Sequence, residues 1–301
     1  MRFSIVKMSL VVVFSGASMA AVLSGCAEAE QPPTGKLGGL NILAMPVYKT
    51  TPNSVSEAAP GDTLKVRPFL SWVDGAGKPV TWSIVACRDP GSTEGAPTCN
   101  GAPDTVVIPG GTQTTPTVIG NASNAWTDFM PEVSLTIPSN FFSGPPAITD
   151  AAIQYNGYSY LVFIRVYGPV NDSMTSAMIR IVVTTRTGTD LAVNPSFDDI
   201  LANGVSLTTL PTEKVTLQGV FSGLVPSYPG RSTSGSSVTN SNPSLTSWYY
   251  SDGSLQRLHT DETVPTTEWT PAGKPANRAS ILVGVLRDSR GGQSVKQISL
   301  P

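Results

Sequence analysis

Residues 64–87 read LKVRPFLSWVDGAGKPVTWSIVAC, and this stretch decides the fold class. Apolar side chains recur at alternate positions, at Leu64, Val66, Leu70 and Trp72 in the first half and at Val80, Trp82, Ile84 and Ala86 in the second. A period of two predicts two strands, each with one buried face. The sequence Asp74-Gly75-Ala76-Gly77 between them predicts a turn that joins the strands as a hairpin, with Trp82 pointing inward.

Segments of the same kind recur along the whole chain. Further strands are predicted at 40–48, 105–108, 133–137, 158–167, 177–185, 214–221, 246–250, 255–259, 266–269, 280–286 and 294–300. The segment 160–166 is apolar on both faces except at Arg165, which indicates a central strand covered on both sides. The 28 Gly and 26 Pro suit many short strands and turns, while 13% charged residues is low for long amphipathic helices. We therefore expect an all-β fold.

The segments between these strands are rich in turn-forming residues. Residues 109–131 are expected to form a loop, with Trp126 as a possible plug, and residues 222–244 a long exposed loop. Residues 195–202 are expected to form one or two helical turns, because Asn203 and Gly204 follow them as a helix cap would.

The strands fall into two groups separated by a polar segment near residue 188. Their number and spacing predict two immunoglobulin-like β-sandwich domains in series, at 37–188 and 189–301. A flexible tether at 26–36 precedes them, since this segment is small, polar and rich in proline.

The first 25 residues have the layout of an export signal. Arg2 and Lys7 precede an apolar run from Leu10 to Leu23. That run is shorter than the roughly 20 apolar residues that a membrane-spanning helix needs. A cleaved signal is therefore favoured over a permanent transmembrane anchor.

The end of the apolar run, Leu23-Ser24-Gly25-Cys26, resembles the lipobox of bacterial lipoproteins. The resemblance implies cleavage before Cys26 and lipidation of its thiol, with palmitate or similar chains holding the protein to the membrane. Ala27 rather than Asp follows, which implies delivery to the outer membrane if the host uses the enteric sorting rule. The alternative is a conventional signal peptide with Cys26 as an ordinary thiol.

Two cysteines remain once Cys26 is assigned to the lipid. In an oxidising compartment Cys87 and Cys99 are expected to form a disulfide. A loop of this length contributes roughly 3 kcal/mol in the chain-entropy model. Strand parity places Cys87 on the face opposite Trp82, so the bridge would pin a loop to a strand end. A metal-binding pair is the alternative, although neither a second cysteine pair nor a nearby histidine would complete its site.

A family resemblance appears late in the chain. Residues 248–254, WYYSDGS, resemble the W-D-F-G-D-G-S signature of polycystic-kidney-disease (PKD) domains, with Tyr249 and Ser251 departing from it. Residues 279–300 are similar to the closing hairpin of that family, and residues 37–99 are more loosely similar to immunoglobulin-like lipoproteins of myxobacteria and their relatives. The resemblances imply extracellular spacer, adhesion or binding modules and carry over no functional residue.

Catalytic chemistry finds little support in the sequence. His259 is the single histidine and has no nucleophile motif beside it, so a surface position at a strand end is expected. The carboxylate pairs Asp198–Asp199 and Asp261–Glu262 are adjacent in sequence and point different ways in extended chain. A formal net charge of −2 gives no electrostatic reason to bind nucleic acid. We expect no catalytic residue, cofactor or metal.

Aromatic residues offer an alternative role in binding. Trp126, Trp248 and Tyr250 are possible stacking residues for a sugar, although alternating positions put some of them in the core. The leading hypothesis is an exported lipoprotein, anchored through Cys26 and facing the periplasm or cell surface, with a structural or adhesive role toward a protein or glycan. A carbohydrate-binding lipoprotein is the second hypothesis, and a hydrolase that uses carboxylates is the third.

Overall fold

The computed structural model describes residues 35–52, 54–91, 97–102, 104–116, 127–169, 174–273 and 279–300. These residues form an almost entirely β structure of antiparallel sheets, which confirms the predicted all-β class. In the same ranges no helix combines the length and the apolar character required to cross a membrane.

Twenty strands and one short α-helix lie within the described residues. The strands of the first half are β1 Asn41–Ala44, β2 Val47–Tyr48, β3 Thr63–Val66, β4 Phe69–Ser71, β5 Pro79–Arg88, β6 Val106–Thr114, β7 Val133–Thr136, β8 Tyr158–Tyr167 and β9 Met174–Val183, with α1 at Ala151–Asn156 before β8. Those of the second half are β10 Ser196–Ala202, β11 Val205–Ser206, β12 Val215–Ser222, β13 Ser227–Arg231, β14 Ser237–Ser241, β15 Ser244–Tyr250, β16 Ser254–Leu255, β17 His259–Asp261, β18 Thr266–Thr270, β19 Ser280–Asp288 and β20 Gln293–Leu300.

The sheets form two pairs, each with its own core. In the N-terminal sheet pair, the orders are β2-β3-β7 and β6-β5-β8-β9, and residues of both sheets share one hydrophobic cluster. In the C-terminal sheet pair, the orders are β11-β10-β12-β18-β16 and β17-β15-β19-β20, and both again contribute to one cluster. Strands β1 and β4 pair with each other, as do β13 and β14. Each pair has the layered arrangement of a β-sandwich.

The predicted hairpin around residues 74–77 is wrong, although its inward-facing residues are correct. The first segment is broken at Pro68, which has no N–H to donate to a ladder. Strand β4 pairs with β1, whereas β5 pairs with β6 and β8. Leu64, Leu70 and Trp82 nevertheless lie in the same core. Successive strands with one apolar face can bury it by facing each other across a core, as well as by pairing side by side.

The predicted helical turns at 195–202 are also wrong, because these residues form β10. Asn203 and Gly204 both have positive φ, 50° and 83°, and connect β10 to β11. Asn-Gly is the preferred pair for a two-residue hairpin turn with positive φ at both positions. The dipeptide was therefore a hairpin signal rather than a helix cap.

Two predicted loops contain strands. Residues 222–244 include the hairpin of β13 and β14, whose side chains are mostly exposed. Strand β6 extends to Thr114, into the predicted loop, and shifts register opposite Trp82. At the shift, a Cβ on Gly110 would lie 1.5 Å from the Trp82 carbonyl oxygen. Glycine is required there because the two backbones approach too closely for a side chain.

Helix α1 was not predicted. Asp150 caps it, since the Asp150 carboxylate accepts hydrogen bonds from the backbone N–H groups of Ala152 and Ile153, at 2.7 and 3.3 Å. Gly157 follows the helix with φ of 99°. An aspartate cap and a glycine stop are local signals for a helix, but six residues are too few to show a helical period.

The disulfide between Cys87 and Cys99 is present, as predicted, with the two Cα atoms 5.6 Å apart. Cys87 is fully buried yet is not part of the core that contains Trp82. The bridge therefore joins a strand end to the loop that follows, on the outer side of the sheet.

Candidate functional site

The two sheet pairs contact each other through an apolar cluster and a buried ion triad of Glu57, Arg186 and Arg290. We call this contact region the seam. Its apolar part is a third hydrophobic cluster, in which Leu37 and Leu43 pack against Tyr249, Val283 and Val285. Strand β1 therefore serves both sheet pairs: Ile42 points into the N-terminal core, and the next residue, Leu43, points toward the sheet of β15 and β19. This alternation follows from the strand period, which sends neighbouring side chains to opposite faces.

The chain enters this seam at Gly35. The backbone N–H of Tyr250 donates to the Gly35 carbonyl at 2.9 Å, and the N–H of Leu37 donates to the Tyr250 carbonyl at 2.8 Å. Lys36 forms a parallel bridge with Tyr250 through these bonds. The first described residues are therefore attached to the C-terminal end of β15, which is distant in sequence and belongs to the C-terminal sheet pair.

A buried ion triad forms the electrostatic centre of the seam. The Glu57 carboxylate lies 2.6 Å from the Arg186 guanidinium and 2.9 Å from that of Arg290. The side chain of Glu57 has no exposed surface, and those of Arg186 and Arg290 are 1% and 6% exposed. The Glu57 carboxylate also accepts a hydrogen bond from the Ala192 N–H at 3.0 Å. Burial lowers the pKa of Arg186, and the attraction of Glu57 opposes that shift.

The tertiary structure brings these three residues together from distant parts of the chain. Glu57 precedes Ala58, whose backbone pairs with the end of β9. Arg186 follows β9, and Arg290 lies in the turn between β19 and β20. Because buried charges are tolerated only when they are paired and hydrogen-bonded, the triad ties these three segments to one arrangement.

In the triad one carboxylate pairs with two guanidinium groups, which leaves an excess of positive charge. Aromatic rings lie against the guanidinium groups and offset part of it. The Tyr228 ring lies under both Arg186 and Arg290, with the guanidinium carbons 5.6 and 4.6 Å from its centroid. The Tyr155 ring contacts Arg186 at 5.9 Å and Arg231 at 4.4 Å. The face of an aromatic ring attracts cations, so these stacks stabilise the guanidinium groups. They also join the hairpin of β13 and β14 to helix α1.

One residue of the segment between the two sheet pairs, Asn194, is buried and hydrogen-bonded to both of them. Asn194 is 2% exposed. Its amide donates to the Val47 carbonyl at 2.7 Å, and its Oδ1 accepts from the N–H of Gln293 at 2.9 Å. The Gln293 Oε1 in turn accepts from the N–H of Met45 at 3.0 Å. Asn194, a few residues after the predicted boundary at residue 188, therefore holds both sheet pairs in one arrangement, and the division into domains stays a prediction.

Two small cavities lie at the seam, of about 200 and 120 Å³. Asp288 and Arg290 line both of them. The Asp288 Oδ1 accepts hydrogen bonds from the N–H groups of Gly292 and Arg290 at 2.7 and 3.0 Å, so its carboxylate organises the turn between β19 and β20. Burial raises the pKa of Asp288, although these hydrogen bonds and Arg290 oppose the rise.

Asp288→Asn is expected to remove a pH-dependent part of the folding stability. Because the pKa of Asp288 is raised, the folded state holds its proton more tightly than the unfolded chain does. That contribution is complete below the unfolded pKa of about 3.9 and is lost as pH rises through the higher folded pKa. Asparagine does not titrate, yet its amide oxygen can accept the same backbone bonds.

Urea unfolding at several pH values from about 3 to about 8 would measure this effect. The stability of the wild type relative to Asp288→Asn should fall as pH rises through that window. The exposed Asp74 provides the matched control, as Asp74→Asn. Parallel profiles for the wild type and Asp288→Asn would contradict the prediction.

The structure places two of the three predicted aromatic site residues in the core. Trp248 is 1% exposed and Tyr250 is 9% exposed, and both belong to the C-terminal cluster. A sugar-stacking surface requires exposed ring faces, so neither can serve in one as predicted. Trp126 and Cys26 lie outside the described residues.

His259 lies at the start of β17 and is exposed, as expected. Its Nδ1 is 3.3 Å from the Ser247 hydroxyl on the neighbouring strand β15. Ser247 is 1% exposed and also accepts a hydrogen bond from Arg287 at 2.9 Å. A buried hydroxyl that is bonded in this way is inaccessible to a substrate, so the pair lacks the geometry of a nucleophile with its base. In the part of the chain that is described, no group of three or more His, Cys, Asp or Glu residues could hold a metal ion.

The seam itself was not predicted from the sequence. The sequence predicts the closing hairpin that contains Arg290, but it does not predict that this turn contacts Glu57 and Tyr228. Glu57 is 233 residues away from Arg290 and 129 from Arg186, and no local pattern indicates either pairing. Burial of Glu57 also runs against the general rule that isolated charged residues are exposed.

Comparisons with known proteins assign no family to this chain. No protein-family model matches the chain, and no curated protein matches it. Among solved structures, dimeric latent PorU from Porphyromonas gingivalis is similar, at 8% sequence identity and a TM-score of 0.24. The match covers 88% of this chain and 24% of that chain, so this protein spans about a quarter of the PorU chain. A likeness this distant carries no argument about function.

Proposed function

We propose that the protein is an exported lipoprotein, anchored in the outer membrane through Cys26, with a non-enzymatic role. That role is to hold an interaction surface for a protein or glycan in a fixed position outside the cytoplasm. The observation that carries the proposal is the seam, in which a buried ion triad and strand β1 lock the two sheet pairs together. Domains joined by a flexible linker would move independently, whereas this arrangement fixes the relative position of the two surfaces.

The position of the tether supports the anchoring part of the proposal. Only residues 27–34 separate Cys26 from Gly35, where the chain is bonded to β15. A fully extended chain spans roughly 3.3–3.6 Å per residue, so the folded body would lie within about 30 Å of the acyl chains. A force on the anchor would enter at Gly35 and Leu37, next to the apolar part of the seam.

Of the two possible kinds of partner, a protein is favoured. Trp248 and Tyr250 were two of the three aromatic residues that suggested a sugar site, and both are in the core. Strand β6 lies at the edge of its sheet, and β13 and β14 pair only with each other among the described strands. Exposed strand edges of this kind can bind an extended protein segment by strand addition.

Labelling with palmitate in the native host tests the anchor. Wild-type protein should incorporate the label and partition into the detergent phase, while Cys26→Ala should do neither and should accumulate as unprocessed precursor. Ser24→Ala is the matched control, because it changes the same short motif but keeps a small residue and Cys26. An unlabelled wild-type protein that stays in the aqueous phase would refute the anchoring.

Cross-linking on intact cells, followed by mass spectrometry, tests the interaction role, and a glycan array tests the second hypothesis in parallel. The proposal predicts a reproducible cross-link to a protein partner. Substitutions on the exposed face of β6 or of the β13 and β14 hairpin should abolish this cross-link, whereas substitutions in the tether, residues 27–34, should not. Tight binding to a glycan without any cross-linked protein would replace the leading role with carbohydrate binding.

A further inference from the structure

A further cavity lies within the C-terminal sheet pair, where it is lined by residues from both of its sheets. Strand β18 pairs with β12 only as far as Gln218, so the end of β12 from Gly219 onward has no neighbour on that side among the described strands. In the opening between this end of β12 and the facing strands β15 and β17 there is a cavity of about 180 Å³.

The walls of this cavity are mostly apolar. They include Phe221, Leu224 and Pro265. The Phe221 ring lies over Gly219, where an added Cβ would come within 2.2 Å of it, and packs edge-on against Phe197 with the ring centroids 4.7 Å apart. Phe221 is half-buried, so one part of its ring is held by the core and another part faces the cavity.

The floor of the cavity is formed by the polar residues Thr246 and Thr260, and the Thr260 hydroxyl already takes part in a hydrogen bond. Thr246 and Thr260 are 3% and 4% exposed. The Thr260 hydroxyl accepts the N–H of the Trp248 indole at 2.9 Å. A ligand therefore gains more from the apolar walls than from the floor.

The rim of the cavity is acidic. Asp261 and Glu262 line it and are exposed, and no lysine or arginine is among its lining residues. The Asp261 Oδ1 accepts the Thr263 hydroxyl at 2.7 Å and the N–H groups of Thr263 and Val264 at 2.8 Å each. The hydrogen bond from the Thr263 hydroxyl is the main cause that lowers the pKa of Asp261, so this carboxylate is charged at neutral pH.

Size and chemistry together select the ligand. Pockets for drug-sized molecules have volumes of about 300–1,000 Å³, so a cavity of about 180 Å³ suits a single side chain. A side chain that combines an apolar stem with a cationic head satisfies both the walls and the rim. The ring of Phe221 favours arginine over lysine, because a planar guanidinium stacks on an aromatic face.

We propose that this cavity is a docking site for an arginine side chain of a partner protein, with the stem against Phe221 and Leu224 and the guanidinium at Asp261 and Glu262. The inference rests on the proposed interaction role and specifies the chemistry of its partner. Arginine residues that fill pockets are common hot spots of protein interfaces.

The experiment uses the purified full chain in detergent and three small probes: the acetylated amides of arginine, lysine and norleucine. Ligand-observed NMR titration measures each dissociation constant. The arginine probe should bind with a dissociation constant in the millimolar range, more tightly than lysine, and norleucine should bind most weakly because it lacks a cation. Binding should weaken as salt is added, since the rim charges are exposed.

Variants locate the site and keep the test falsifiable. Asp261→Asn with Glu262→Gln removes both rim charges while keeping hydrogen-bond acceptors, and should weaken arginine binding about two- to fivefold per exposed charge pair. Glu213→Gln is the matched control, because Glu213 is an exposed carboxylate in the connection before β12 and does not line the cavity, so binding should be unchanged. Thermal unfolding of each variant verifies that it is folded.

Three results would overturn the proposal: no binding of the arginine probe, equal binding of norleucine, or unchanged arginine binding in the double variant. Failure of the anchoring proposal is distinguishable from these results, because it shows as missing palmitate, which the titration does not require.

Discussion

Glu57→Gln is expected to lower the free energy of unfolding by about 3–5 kcal/mol, the usual cost of breaking a buried ion pair from one side. The substitution keeps the size of the side chain but removes the carboxylate charge that pairs with two buried guanidinium groups, those of Arg186 and Arg290. Neither guanidinium can reach water without opening the seam, since their side chains are 1% and 6% exposed. Urea unfolding followed by tryptophan fluorescence would measure the loss.

Two further variants make this prediction specific to the triad. Glu213→Gln removes an exposed carboxylate and should change stability by less than about 0.5 kcal/mol. Arg290→Met leaves Glu57 and Arg186 as an ion pair with no net charge. It should therefore lower the free energy of unfolding by less than Glu57→Gln does. A Glu57→Gln variant as stable as the wild type, or less damaging than Arg290→Met, would show that the triad does not hold the seam.

Trp248→Ala is expected to destabilise the fold by about 3–5 kcal/mol, as is usual for a large aromatic residue in a core. The Trp248 ring is 1% exposed and packs edge-on against Phe197, with the centroids 5.9 Å apart. Its indole N–H also donates to the Thr260 hydroxyl at 2.9 Å, and the substitution removes that donor. Thermal or urea unfolding would show the effect.

The same variant separates a core role from a sugar-binding role. A residue in an exposed stacking platform could be replaced with little loss of stability and a large loss of glycan affinity. Tyr167→Ala is the control for an exposed aromatic residue, since Tyr167 is 39% exposed at the end of β8 and its loss should cost less than about 0.5 kcal/mol. A stable Trp248→Ala variant would contradict the placement of this ring in the core.

Strand positions were predictable because a strand with one buried face imposes its period on neighbouring residues. The segment 158–167 coincides with β8, and the strands near 214–221 and 280–286 differ from β12 and β19 by at most two residues at either end. Short elements with no period were missed, among them α1 and the hairpin of β13 and β14. Residues 195–202 were misassigned because Asn-Gly can follow a helix as well as form a hairpin turn, and only pairing with β12 decides between them.

Partners of the strands were less predictable than the strands themselves. The strands on either side of residues 74–77 are adjacent in sequence and belong to different sheets. An apolar face indicates that a strand has a buried side, but it does not indicate which other strand covers that side. The disulfide was predictable because composition leaves one pair of cysteines once Cys26 is assigned to the lipid.

The sequence by itself determined the fold class, the positions of most strands and the disulfide, because each of these depends on neighbouring residues or on composition. The export signal and the lipidation of Cys26 stay predictions from the sequence. Only the tertiary structure decided the seam and the acid-rimmed cavity. Glu57, Arg186 and Arg290 become a triad only after β9 and the turn between β19 and β20 are brought together. The physical reason is that electrostatic and packing energies depend on distance in space. Residues that interact across more than 100 positions of the chain produce no pattern among neighbouring residues from which their contact could be predicted.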